Sequence, residues 1–168
     1  MDRSACAVSA ALTITLAITT SFSFALIAAA ADDATPRQPG PRDACRVCGM
    51  FVAPHPEWLA QIVADDGTTL FFDGCKDLFT YLLDPDRFGA PVPAGRIAAV
   101  FVTSYYDQTS IPGRRAYFVA GSDVYGPMGS ELVPLGDRGE AEEFMRDHNG
   151  SAIFRFEDID ATVVARLR

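Results

Sequence analysis

The sequence predicts an α+β fold made of two similar ββαβ units packed into one body, and three observations predict it. Short runs rich in β-branched and aromatic residues recur at 59–64, 68–72, 97–103, 116–120 and 151–156. Two stretches place apolar residues at helical spacing, one ending before Pro85 and one covering 140–148. The order strand, strand, helix, strand then occurs twice, in halves 44–104 and 115–160. Strands interleaved with a helix that must bury its apolar stripe call for a sheet with helices packed against it.

Taken in order, the chain starts Met1-Asp2-Arg3 and runs without charge from 5 to 31, with Ala28-Ala29-Ala30 near the end of that run. An early arginine, an apolar centre and small exit residues predict a secretory signal peptide over 1–30, cleaved rather than kept as an anchor. Cys6 leaves with it, so three of the four cysteines remain. An odd number in an exported protein means at least one thiol is free, paired between chains or bound to something. The mature chain, about 138 residues, suits one domain with one sizeable core. Its first part, DDATPRQPGPRD, is Pro-rich and charged, which predicts a flexible leader over 31–43 and a folded domain over 44–168.

LAQIVA (59–64) and TTLFF (68–72) read as strands joined by Asp65-Asp66-Gly67, whose Asp-Gly step tolerates the positive φ of a hairpin turn. Asp73 offers an N-cap, and Leu78, Phe79, Leu82 and Leu83 form the apolar face of a short helix. IAAVFVT (97–103) reads as a buried strand. In the second half AYFVA (116–120) is followed by a turn at Gly121-Ser122-Asp123 and a short strand within GPMGSELVPL. A helix follows, with Ala141, Phe144 and Met145 on one face, and SAIFRF (151–156) ends the unit.

The net charge is -8, and no basic stripe interrupts it, which excludes nucleic acid and anionic lipid as natural partners. No Gly-x-Ser-x-Gly, His-Glu-x-x-His or phosphate-binding glycine loop is present. Binding therefore outranks catalysis, and the chain is not expected to be an enzyme.

The residues that carry chemistry begin with CRVCGM (45–50). Gly49 lets the backbone bend so that Cys48 and Met50 turn to one point, and thiolates and thioethers select Cu(I) over hard cations. Met50 beside Phe51 and Val52 also suits a core filler. Met128, between Pro127 and Gly129, belongs on a turn that presents its sulfur, with a turn methionine folded back on the core as the alternative. Cys75, in the first turn of the helix after Asp73, gains thiolate character from the helix N-terminus, although a buried thiol is the plainer alternative. His55, between two prolines, is a candidate extra ligand or part of a docking surface, although a lone histidine is more often neither.

CGMFVAPHPEWLAQI, FFDGCKDLFTYL and YFVAGSDVYGPMGSELVPL together resemble the NosL family, the nitrous-oxide reductase accessory proteins, from about residue 45 to beyond 135. The resemblance implies a periplasmic Cu(I) chaperone with nitrous-oxide reductase as copper recipient, and a fold of two ββαβ units like that of organomercurial lyase. Cys48, Gly49 and Met50 match the family's Cys-Gly-Met; Met128, Gly129 and Glu131 match its Met-Gly-x-Glu. Cys48, Met50 and Met128 are thereby implied as ligands, with Cys45 and Cys75 as additional thiols. Many members carry a lipoprotein cysteine at the cleavage site, which this chain lacks, so no membrane anchor is expected after cleavage. The first half alone also resembles small YHS or TRASH-type metal modules. Two other functions stay open: a thiol-disulfide oxidoreductase using Cys45 and Cys48, and a structural zinc site from Cys45, Cys48, Cys75 and His55.

Overall fold

The computed structural model describes residues 34–89 and 91–167; the signal peptide expected over 1–30 lies outside the described residues. The first ββαβ unit comprises β1 (Ala60–Ala64), β2 (Thr69–Phe72), α1 (Cys75–Leu83) and β3 (Ile97–Thr103), extended by β4 (Ser110–Pro112). Its sheet has the order β2-β1-β3-β4, antiparallel throughout. The β1–β2 turn falls where Asp65-Asp66-Gly67 predicts it, with Gly67 at φ +81°.

β1 is buried on both faces, and alternation along the strand explains how. Ile62, with Leu70, Phe72, Val100 and Val102, joins the main core that also holds Leu78 and Phe79 of α1. Val63, Ala99 and Phe101 look the other way, and Ala34 packs on them. Buried Gln61 accepts from Arg37 N at 2.8 Å and donates to Arg37 O at 3.3 Å. Part of the stretch read as a flexible leader thus supplies backbone partners that a buried amide needs.

The second unit comprises β5 (Tyr117–Ala120), β8 (Val133–Leu135), α2 (Arg138–Asp147) and β9 (Ala152–Arg155), in the sheet order β8-β5-β9. In both units the first strand is central and the second and third flank it, so the repeated order read from the sequence is a repeated topology. Between β5 and β8 lies a two-stranded ribbon, β6 (Tyr125–Gly126) and β7 (Gly129–Ser130).

The halves share a core. Phe118 of β5 meets Phe79 of α1 edge to face at 5.2 Å, and Phe156 lies 4.9 Å from Phe79. Each buried phenylalanine contributes about 1.5–3 kcal/mol. On the opposite face of β5, Val119 packs with Val133, Leu135, Ala141 and Phe144 under α2. A further helix, α3 (Ala161–Ala165), was not foreseen. Asp160 caps it through Thr162 N and Val163 N, both at 2.9 Å, and Val164 and Leu167 enter the shared core.

Candidate metal centre

The CRVCGM segment closes into a loop against the edge of β2. Cys45 N donates to Met50 O at 2.7 Å and Gly49 N to Cys45 O at 2.9 Å. Gly49 sits at φ +80°, a region only glycine adopts freely. Bridges from Ala44 to Phe51 and from Cys45 to Phe71 fasten the base of the loop. Cys45 is therefore buried, while Cys48 is exposed.

Two carboxylates at the start of α1 meet these thiols. Cys45 Sγ donates to Asp77 Oδ2 and Cys48 Sγ to Asp73 Oδ2, each at 3.2 Å. One ligand atom from each of Cys45, Cys48, Asp73 and Asp77 lies within 4.8 Å of the others. Asp73 is 1% exposed, and its Oδ1 has no hydrogen-bond partner among the described residues. A buried carboxyl oxygen without a partner is costly, and a bound cation is a natural relief.

Burial sets the protonation of the group. Desolvation, reinforced by the neighbouring Asp73 carboxyl, drives the Cys45 thiol far above its ordinary range. Cys48 is pushed up to about 11, again first by desolvation, with Asp73 adding to it. Asp77 is raised by its own burial, and the Asp73 charge adds to that. At neutral pH both sulfurs are thiols donating to carboxylates. A metal must displace those protons, and the acceptors already lie on the hydrogen bonds.

The second half contributes the β6–β7 turn. Met128 occupies it at 46% exposure, next to Gly129 at φ +91°. Lys76 Nζ donates to Met128 O at 2.8 Å, tethering the turn to the first turn of α1, between Asp73 and Asp77. Met50 is half-buried at the end of the cysteine loop.

The sequence pattern that defines the NosL family matches residues 36–164. The chain belongs to the NosL family. The copper-binding lipoprotein NosL of Stutzerimonas stutzeri is 27% identical over 123 residues, which cover 73% of this chain and 64% of that protein; the chain thus spans 64% of the length of this curated relative. The crystal structure of the copper chaperone NosL from Shewanella denitrificans superposes with a TM-score of 0.62 at 24% identity, over 76% of this chain and 99% of that one. That likeness establishes the NosL fold.

Within this NosL-family chain two other expected residues lie apart from the Cys45–Asp77 group. Cys75 is buried in the shared core. Its expected thiolate character is corrected: desolvation raises it well above an ordinary thiol, with the Glu131 charge adding to the effect. The expected cap also differs, because Gly74 takes that position and Asp73 turns to Cys48. His55 precedes the short turn Pro56–Trp58, with Nδ1 3.8 Å from Glu57 Oε1. Asp73 as a thiol partner and Asp77 were missed. Their four-residue spacing across DGCKD, which places both at one helix start, was the available signal.

Proposed function

We propose that this chain is a periplasmic Cu(I) metallochaperone that delivers copper to nitrous-oxide reductase for assembly of its multicopper site. The observation that carries the reading is the pair Cys45 and Cys48 poised on carboxylates, one of which keeps an unpartnered buried oxygen. Cys48, Met50 and Met128 are the proposed sulfur ligands, with Cys45 as the further thiol; Cys75 and His55 stay outside the set. Sulfur donors favour Cu(I). Cys48 and Met128 are exposed, so an acceptor's ligands can replace them one at a time without the protein opening. Each thiol yields its proton through the neighbouring carboxylate to solvent as copper arrives. The relatives named as copper-binding protein and copper chaperone support the cargo, and the signal-peptide pattern supports export.

The alternatives fit the geometry less well. A dithiol oxidoreductase needs a stabilised thiolate, whereas burial and Asp73 raise both thiols. A structural zinc site of three cysteines and His55 needs Cys75 and His55, neither of which joins the group of Cys45, Cys48, Asp73 and Asp77.

The test is an anaerobic Cu(I) titration of the reduced protein against a chromophoric competitor, repeated with Zn²⁺ and with Cys48→Ser. Tight Cu(I) uptake that falls more than about a hundredfold in the variant, beyond the usual effect of an outer-shell change, is expected. Transfer to copper-free nitrous-oxide reductase is the following assay. Tighter binding of zinc than of copper, or no competition with the chromophore, overturns the reading.

A further inference from the structure

Glu131 is buried at 3% exposure and follows the Met128 turn by three residues. Its Oε1 accepts from Lys76 N, 55 residues away in sequence, and from Leu132 N at 2.9 Å. Lys76 is the second residue of α1, whose own cap residue, Gly74, provides no side-chain hydrogen bond. One of the orphan amides of this helix is therefore satisfied from the other half of the molecule.

The carboxyl sits in a slot made by two glycines. A Cβ on Gly74 would overlap Glu131 Oε2 and stand 2.8 Å from its Cδ. A Cβ on Gly126, in β6, would come within 3.3 Å of Glu131 Cγ and Oε2. Lys76 adds a second tie through Nζ to Met128 O. The first turn of α1 thus grips both the residue that ends the hairpin and the tip that carries the thioether.

We infer that Glu131 is a positioning residue for copper: it fixes the Met128 hairpin against the start of α1 and so sets the distance between the thioether of one half and the thiols of the other. This rests on Met128 being a copper ligand. Glu131 does not touch copper itself. It acts through the backbone it holds.

The test compares Cu(I) affinity by competition, and the sulfur neighbours of copper by X-ray absorption, in the full chain. The proteins are the parent, Met128→Ala, Glu131→Asp, Glu131→Gln and the double variant Met128→Ala/Glu131→Asp. Glu131→Asp is one methylene short of Lys76 N, and it is expected to weaken Cu(I) about tenfold, as supporting partners of metal ligands commonly do. It also loses one sulfur neighbour, as Met128→Ala does, and the double variant binds no more weakly than Met128→Ala alone. Glu131→Gln keeps the length and the acceptor oxygen and restores parental binding. A lowered Tm with unchanged affinity and sulfur count overturns the inference, as do additive losses in the double variant or equal losses in the Asp and Gln forms. Should Glu131→Asp not fold, Gly126→Ala presses on the same side chain without removing it. A loss that vanishes in the Met128→Ala background supports the role, and an additive loss or none overturns it. Failure of the parent to bind Cu(I) defeats the proposed function, and an inert Met128→Ala removes the ligand on which the inference rests. Both are read with Glu131 intact.

Discussion

The two ββαβ units begin their helices in different ways. In the second, Asp137 accepts from Glu140 N at 2.9 Å, while the Glu140 carboxylate accepts from Gly136 N at 2.8 Å and Asp137 N at 3.4 Å, a reciprocal box of adjacent residues. In the first, the aspartate at the corresponding junction, Asp73, accepts from a cysteine thiol, and the helix takes its cap from Glu131. A junction that satisfies itself locally has nothing left to offer a ligand. Where a local rule is broken and the repair comes from far along the chain, a functional site is the expected reason.

The largest effect expected from this contrast belongs to the first unit alone. Burial pushes the Cys48 thiol up to about 11, so it carries its proton across the pH range of ordinary assays. Copper must therefore expel a proton from each thiol it takes, and affinity falls about tenfold per thiol for each pH unit of acidification. Competition titrations between pH 6 and 8 measure the slope, and a flat profile would mean that thiols do not ligate. Gly74→Ala comes next. Its Cβ collides with the Glu131 carboxyl and costs about 1–3 kcal/mol, seen as a lower Tm, as overpacked sites do. Asp137→Ala removes an ordinary cap at a cost of about 1 kcal/mol and leaves Cu(I) affinity as it was. A loss of copper binding there would break the distinction between the two junctions. The smallest effect is in Asp73→Asn, which lowers the Cys48 thiol from about 11 by removing a secondary contribution to its elevation. Thiolate absorbance reads the change, and no downward movement would show that Asp73 does not govern the thiol.

Much of the fold was legible because its elements obey short-range rules. β3 occupies the run IAAVFVT and no more, since a continuous apolar stretch flanked by polar residues has few other uses. Helix α2 starts two residues earlier than its apolar face suggested, because the capping box at Asp137 lies ahead of the first buried residue. The site was legible in its sulfur and not in its oxygen. CRVCGM announces soft donors, but Asp73 reads as a cap from its neighbours, and only the folded chain shows Cys48 competing for it. Gly74 carries no local sign of its role, and Glu131, which packs on it, lies too far along the sequence for any local pattern to connect them. α3 was missed because its five residues carry too little periodicity to separate from a tail.

The cluster of Phe79, Phe118 and Phe156 has a kinetic consequence. Parting the two halves would expose the buried rings of Phe79 and Phe118, at about 1.5–3 kcal/mol each, and more of the half-buried Phe156. A hinge at that seam is therefore an expensive route to releasing the proposed copper cargo. For the proposed delivery of copper, handover at the exposed Cys48 and Met128 makes the acceptor's approach, rather than a motion of the donor, the step that sets the rate, so the exchange rate should rise in proportion to acceptor concentration.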